Sequence, residues 1–194
     1  MADPAYIDSD GVLTDGEAWV GIATTTLGSD TATVTFTSTD DGQVGDWSQY
    51  MDLVLVTYSR GETVGLTDGN KVRFNNDTTG ANYPAQRLNG DGSSVYAAAY
   101  DTAGVWITAP GTTAGANEFG ASVQHIFDIN SGKYKSVLGS EAQDSDGDGT
   151  VAIRATTWKS QAPISEIDIV ATTGDLKAGS MFSLFGVLPR MVTA

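Results

Sequence analysis

Short segments rich in β-branched residues recur along most of this chain, and their spacing limits the fold more than any other feature. Clusters of Gly, Asp, Asn and Ser interrupt the segments about every 8–15 positions, as turns do between strands. No segment keeps a helical period for more than about two turns, and neither heptads nor an internal repeat is present. The pattern therefore predicts an all-β fold, an antiparallel two-sheet sandwich of jelly-roll type.

The sequence predicts about nine or ten strands. Their segments are residues 18–27, 31–39, 51–60, 70–75, 93–101, 104–110, 121–130, 150–158, 163–172 and 180–187. Two of them, 51–60 and 180–187, are apolar on both faces when they are read with a period of two. We expect the first to be a central strand. The second should be covered on both sides, by a second layer or by another subunit.

The charge balance of the chain argues against two classes of partner. Among 194 residues there are 10 Lys and Arg against 24 Asp and Glu, which gives a net charge of −14. Nucleic-acid binding depends on clustered basic side chains, and an anionic membrane surface repels an acidic protein. The lack of cysteine in the sequence also removes disulfides and thiolate chemistry. We therefore expect no nucleic-acid partner and no membrane partner.

The first 16 residues differ in composition from the rest of the chain. They are polar and acidic, with Tyr6 and Ile7 as their sizeable apolar group. Such a segment buries too little apolar surface to fold alone, so we expect an extended N-terminal arm over 1–16 and a single β-sandwich domain over 17–194. Tyr6 and Ile7 are the candidate partner-binding residues, because they would anchor the arm on another chain. The arm lacks the basic and apolar regions of a secretion signal, so we expect synthesis in a cytoplasm.

Residues 144–150, with the sequence DSDGDGT, resemble the start of a calcium-binding loop. Asp144, Asp146 and Asp148 stand where an EF-hand loop has its first, third and fifth positions, and Gly149 stands at the sixth. The twelfth position should be Glu but is Ala155. Asp and Gly also supply the backbone geometry of a tight turn. We favour a hairpin turn without a cofactor, with weak Ca²⁺ binding as the alternative.

No constellation in the sequence points to catalysis. The phosphate loops G-x-x-x-x-G-K-[ST] and G-x-G-x-x-G and the hydrolase elbow G-x-S-x-G are absent. The single histidine, His125, alternates with apolar residues, so we interpret it as structural rather than as a triad base. Glu166 and Asp168 are interpreted as an exposed strand face rather than as a glycosidase pair. Trp47 and Trp158 are candidates for stacking on a sugar, although most tryptophans of a sandwich are buried.

Four longer segments carry a pattern of their own. In order, they are SQYMDLVLVTYSRG, VRFNNDTTGANYPAQRLNGDGSS, FDINSGKYKSVLG and TTWKSQAPISEIDIVATTGDLKAGSMFSLFGV. The clearest elements are RFNNDTTGANY, the W…API stretch over residues 158–164 and the closing GS-x-FSLFGV. Over residues 45–187 the chain resembles a family of tailed-bacteriophage virion proteins, in which the closing motif more often ends in Tyr-Gly, so Phe185 is a departure.

The resemblance implies a jelly-roll-like domain that assembles as a homotrimer on a phage particle, and it implies no catalytic residue or cofactor. The location is then the virion, after synthesis in the host cytoplasm. Our first hypothesis is a capsid decoration (cement) protein whose partners are its own copies and the major capsid protein. The alternative is a tail or head-fibre adhesin that binds a host surface polysaccharide. A glycan-degrading enzyme ranks third, because the sequence offers no catalytic constellation.

Overall fold

The computed structural model describes residues 19–145 and 148–188. The arm predicted for 1–16, with Tyr6 and Ile7, lies outside them. The described residues form strands and two short 3-10 helices, Trp47–Gln49 and Gly80–Asn82, and none of their helices is long and apolar enough to cross a membrane. The strands are β1 Trp19–Thr26, β2 Thr33–Thr37, β3 Asp52–Ser59, β4 Thr67–Phe74, β5 Pro84–Gly90, β6 Val95–Asp101, β7 Val105–Pro110, β8 Gly120–Phe127, β9 Lys135–Gln143, β10 Thr150–Trp158, β11 Glu166–Ala171 and β12 Met181–Val187.

The strands form two antiparallel sheets that pack as a sandwich, which confirms the predicted fold class. The larger sheet has eight strands in the order β1-β12-β3-β8-β9-β10-β5-β6, and the smaller sheet has four in the order β2-β11-β4-β7. In two parts of the chain, consecutive strands pair with each other inside the larger sheet, namely in the β5–β6 hairpin and in the β8–β9–β10 meander. Because these strands do not alternate between the sheets, the larger sheet has twice as many strands as the smaller one.

The apolar core lies between the smaller sheet and strands β1, β12, β3 and β8. Successive side chains of a strand point to opposite faces, so alternate residues of each strand enter this space. Phe182 and Leu184 of β12 and Leu55 of β3 meet Ile167 and Ile169 of β11 in one buried cluster. Burying each such side chain contributes roughly 1.5–3 kcal/mol.

The larger sheet extends past the smaller one on one side. Strand β7 is an edge of the smaller sheet and lies against β8 and β9. Strands β10, β5 and β6 continue beyond that edge, and we call these three strands together with β9 the overhang. Its inward positions carry polar side chains such as Glu141, Arg154, Arg87 and Asn89 instead of the apolar side chains of the core.

The sequence does not predict β5 and β9, which both belong to the overhang. A buried strand is recognised by apolar residues at alternate positions. In β5 the inward positions include Arg87 and Asn89, and in β9 they include Lys135, Glu141 and Gln143. Because β5 and β9 face little of the apolar core, to which only Val137 of β9 belongs, their sequences lack the pattern that marks the other ten strands.

Strand β12 is fully covered on one side only within the single chain, so cover of residues 180–187 on both sides by a further subunit stays a prediction. Phe182 and Leu184 are fully buried in the core, whereas Met181 on the opposite side is 40% exposed. Strand β3 does have both sides covered near its middle, where Val54 is buried on the side away from the core. Strand β3 also lies between β12 and β8 in the larger sheet, so the prediction of a central strand is confirmed.

Candidate functional site

The side of the larger sheet that faces away from the smaller sheet, here called the outer face, carries no formal charge in three of its rows, whereas Asp52 and Asp101 stand in the row beside them. Cross-strand pairing aligns its residues in rows that cross all eight strands. The central row contains Thr24, Ser183, Val56, Val123, Ser140, Ile153, Leu88 and Ala97. The flanking rows contain Gly21, Phe185, Val54, His125, Leu138, Ala155, Gln86 and Ala99, and Thr26, Met181, Tyr58, Ala121, Ala142, Val151, Gly90 and Val95. None of these residues is Asp, Glu, Lys or Arg, in a chain whose net charge is −14.

The outer face is apolar and exposed over the overhang. Val151 is 67% exposed and Ile153 is 49% exposed, and Leu88 and Val95 are exposed beside them. Small side chains leave two shallow hollows, one of about 650 Å³ near Ala99 and Ala155 and one of about 330 Å³ near Ala121 and Ala142. Extended apolar surface on a soluble protein marks an interaction site. The outer face is therefore the first candidate functional site.

His125 lies in a row of the outer face and is held by the sheet around it. Its Nε2 is 2.9 Å from Oδ2 of Asp52, and its ring stacks on Phe127 with 4.0 Å between ring centroids. The other oxygen of Asp52 accepts a hydrogen bond of 2.8 Å from the backbone N–H of Asp128. This arrangement fixes the imidazole against its neighbours, as expected for a structural histidine.

The DSDGDGT segment connects β9 to β10, and the two strands pair antiparallel with Gln143 opposite Thr150. The hairpin prediction is therefore confirmed. Within the turn the backbone N–H of Asp148 donates to the carbonyl of Ser145 at 3.3 Å. Asp146 lies outside the described residues, and among those that are described no group of three His, Asp or Glu side chains is placed to hold a metal ion.

The tryptophans that the sequence suggested for sugar stacking are buried. Trp47 is 1% exposed and Trp158 is 2% exposed, so neither can stack on a ligand and that alternative is wrong for both. The two accessible tryptophans are Trp19, on the outer face, and Trp106, which is half-buried on β7. Trp106 also contacts the overhang, because it lines a cavity there.

The acidic pair of β11, Glu166 and Asp168, does not form an exposed face. The interpretation of these two residues as an exposed strand face is therefore wrong. Asp168 is buried, and its Oδ1 accepts a hydrogen bond of 2.6 Å from Oγ1 of Thr35. Glu166 accepts a hydrogen bond from the amide of Asn76. Strand β11 is an inner strand of the smaller sheet, with β2 and β4 on its two sides, so Asp168 accepts from β2 and Glu166 accepts from the loop that follows β4.

Two segments that carry the family resemblance meet in the structure. Asn75, in RFNNDTTGANY, donates from Nδ2 to the carbonyl of Pro163 at 2.8 Å and accepts from the N–H of Ser165 at 2.9 Å. Its backbone is left-handed, with a φ of 50°, which Asn tolerates better than most residues. Two positions later Asp77 accepts from the indole of Trp158 at 2.8 Å. These residues join a loop to a distant strand, which is a structural role.

A buried ion pair lies on the inner side of the overhang. Nε and Nη2 of Arg154 donate to the two carboxylate oxygens of Glu141 at 2.9 and 3.0 Å. The backbone N–H of Thr108, on edge strand β7, donates to the same carboxylate at 3.0 Å. Burial raises the pKa of Glu141 to about 7, and burial together with the nearby Arg87 lowers the pKa of Arg154 to about 10. The Glu141 carboxylate therefore accepts hydrogen bonds both from a backbone N–H at the edge of the smaller sheet and from the guanidinium of Arg154.

The sequence gives little indication of this pair. In β10 the apolar Val151 and Ile153 alternate with Ala152 and Arg154, so periodicity alone would turn Val151 and Ile153 towards the core. The structure turns Arg154 inward, where it is 2% exposed. A lone arginine between apolar residues is the one available indication.

No protein-family model matches the chain, and the search of curated proteins finds no relative.

Proposed function

We propose that this protein is a non-enzymatic structural protein of a tailed-bacteriophage virion and acts as a capsid decoration (cement) protein. Its partners are two further copies of itself and the major capsid protein of the head shell. The sequence resemblance over residues 45–187 supports the virion assignment. The three uncharged rows of the outer face are the observation that carries the assembly role.

The strand order supports a jelly-roll interpretation of the sandwich. Without the hairpins β5–β6 and β9–β10, the sheets become β1-β12-β3-β8 and β2-β11-β4-β7. A jelly roll likewise has eight strands in two sheets. In this interpretation both hairpins are additions that widen one sheet, and they supply much of the exposed part of the outer face.

The distribution of charge favours a second copy of the chain as the partner that binds the outer face. Copies that each carry −14 repel one another, so contact costs least where neither copy buries a formal charge. Eight strands spaced about 4.8 Å apart and three rows of side chains span roughly 35 by 20 Å, or about 700 Å². A typical specific interface buries about 800 Å² per partner, so the area of the face approaches that of one such contact.

A tail or head-fibre adhesin that binds host polysaccharide is the second candidate. A specific observation favours it, namely the cavity in the overhang that is lined by Arg87, Tyr100 and Trp106. Aromatic and hydrogen-bonding side chains around a concave site are typical of ligand binding. The copy number in the virion separates the two candidates, since a decoration protein covers the whole shell and an adhesin occurs at fibre tips.

Size-exclusion chromatography with light scattering tests the assembly role. We expect the wild-type protein to show about three times the chain mass of 20.2 kDa. The double variant Val151→Glu/Ile153→Glu should show the mass of one chain with an unchanged melting temperature. Both positions are exposed in the single chain, so it tolerates the charges, whereas an interface would bury them without partners.

Val64→Glu is the matched control, because Val64 is an exposed valine between β3 and β4 and lies away from the outer face. It should leave the trimer intact. A monomeric wild-type protein, or a double variant that still forms trimers, would contradict the proposed role of the outer face.

A further inference from the structure

We propose that the overhang holds a binding site for an acidic sugar, meaning a sugar ring that bears a carboxylate. Arg87 and Arg154 would bind the carboxylate, and the rings of Tyr100 and Trp106 would pack on the sugar. The site lies on the inner side of the overhang, opposite the outer face. The inference therefore stands independently of the proposed decoration role.

Two arginines face each other without a matching pair of carboxylates. Arg154 of β10 and Arg87 of β5 are direct cross-strand partners, and like charges in that relation destabilise a sheet. Glu141 forms a salt bridge with Arg154, and within the described residues no carboxylate forms one with Arg87. The inner side of the overhang is thus locally positive in a chain of net charge −14. A carboxylate from a ligand would balance the second guanidinium.

Aromatic rings hold the guanidinium groups without neutralising them. Cζ of Arg87 lies 4.8 Å from the ring centroid of Tyr96 and 5.8 Å from that of Tyr100, and Cζ of Arg154 lies 5.7 Å from that of Tyr100. Nη2 of Arg87 also donates to Oη of Tyr96 at 3.0 Å. Cation–π contacts orient an arginine and leave its charge available. Both arginines are therefore positioned before any ligand arrives.

A cavity of about 240 Å³ lies among these groups, lined by Arg87, Tyr100, Thr102, Trp106 and Arg154. Two of its polar atoms, Nε of Arg87 and Oη of Tyr100, are buried and have no hydrogen-bond partner among the described residues. Buried polar atoms of this kind are costly unless a partner satisfies them. A ligand in the cavity could supply those partners.

The lining selects the chemistry of the ligand. A guanidinium binds a carboxylate through two parallel hydrogen bonds, which explains a preference for an acid. The faces of Trp106 and Tyr100 suit the apolar face of a sugar ring, and the hydroxyls of Thr102 and Tyr100 suit its polar edge. Nζ of Lys71 lies 5.9 Å from the Trp106 ring centroid and adds positive charge near the rim. The volume is below the roughly 300 Å³ of small drug sites, so it matches a single sugar unit.

Isothermal titration calorimetry on the full chain tests the site with D-glucuronate as the probe. Three compounds serve as control ligands. D-glucose has the sugar ring without the carboxylate, acetate has the carboxylate without the ring, and inorganic phosphate is a compact anion. We expect glucuronate to bind at least about tenfold more tightly than each of the three. Glucuronate that binds no more tightly than glucose, acetate or phosphate would overturn the proposal.

Arg87→Gln should weaken glucuronate binding at least about tenfold, while Lys133→Gln, which removes an exposed lysine on the β8–β9 loop, should leave it unchanged. Equal affinities in wild type and Arg87→Gln would also overturn the proposal. The Arg87→Gln protein should keep the oligomeric mass of the wild type, so loss of sugar binding is distinguishable from failure of the assembly role.

The wild-type protein gives a test that does not depend on a variant folding. In a ¹H–¹⁵N spectrum, glucuronate should shift the indole signal of Trp106 and leave that of Trp19 in place, because Trp19 lies on the outer face. A shift of Trp19 without one of Trp106 would place the ligand elsewhere and overturn the assignment.

Discussion

At the scale of single residues, Asp77 joins residues 72–94 to residues 156–187, two of the four segments quoted from the sequence. Its Oδ2 accepts hydrogen bonds from Trp158 Nε1 and Asn82 Nδ2, both at 2.8 Å, and its Oδ1 accepts from the N–H of Thr79 at 2.9 Å. Burial by itself raises the pKa of Asp77, but these hydrogen bonds outweigh burial and hold the pKa below its usual value. The folded protein therefore prefers the ionised form.

We expect Asp77→Asn to lower the free energy of unfolding by about 1–3 kcal/mol near neutral pH, because an amide offers one acceptor oxygen where the carboxylate offers two. The pKa of Asp77 is lowered on folding, so its contribution is present above the unfolded pKa of about 4 and is lost as the pH falls through the folded pKa. The difference between wild type and variant should therefore shrink below about pH 4. Urea titrations followed by tryptophan fluorescence measure both quantities.

Asp40→Asn is the matched control for this residue. Asp40 is exposed, and its side chain makes no hydrogen bond within the described residues. Its substitution should change the free energy of unfolding by less than about 0.5 kcal/mol at either pH. Similar losses in the two variants would show that Asp77 contributes only its charge.

At the scale of elements, β10 shows what alternation can and cannot predict. Its bounds, Thr150–Trp158, match the predicted segment 150–158, because β-branched alternation identifies a strand locally. Which side faces inward depends on the layer above it, and the smaller sheet covers mainly the end of this strand, where Trp158 packs on Phe74. Val151 and Ile153 consequently face outward, although their composition suggests the core.

The outer face could not be predicted from any one element. Its central row brings together Val123, Ile153 and Leu88, which are far apart in the sequence and become neighbours only through strand order. The same is true of the two arginines. Arg87 lies on β5, which the sequence does not predict, and Arg154 lies on β10, which it does. Fold class is a local property of this sequence, whereas both candidate sites are products of pairing between distant strands.

The β9–β10 hairpin carries the prediction that belongs to this scale. If residues 144–150 act only as a turn, excess EDTA should leave the melting temperature unchanged, and added Ca²⁺ should not raise it. A bound ion would stabilise the fold by about 2.7 kcal/mol at a hundredfold excess over its Kd. Differential scanning calorimetry in the two conditions measures the effect. A melting temperature that falls by many degrees in EDTA would favour the calcium alternative.

At the scale of the whole molecule, net charge and the uncharged rows of the outer face act in opposite directions. The charge of −14 keeps copies apart, and the apolar rows favour their contact. An interface built on ion pairs would behave differently, since salt weakens attraction between exposed charges. The salt dependence of association therefore identifies the kind of contact that holds the copies together.

We expect the trimer to tighten as salt increases. The Debye length falls from about 30 Å at 0.01 M to about 10 Å at 0.1 M, so added NaCl screens the repulsion between copies and leaves the apolar contact in place. Sedimentation equilibrium at about 0.02 M and about 0.5 M NaCl measures the association constants. The Val151→Glu/Ile153→Glu variant should remain monomeric in both, because its loss of association comes from charges buried in the contact itself. A wild-type trimer that dissociates as salt increases would mean that ion pairs hold the copies together, and the outer face would then be excluded as their interface.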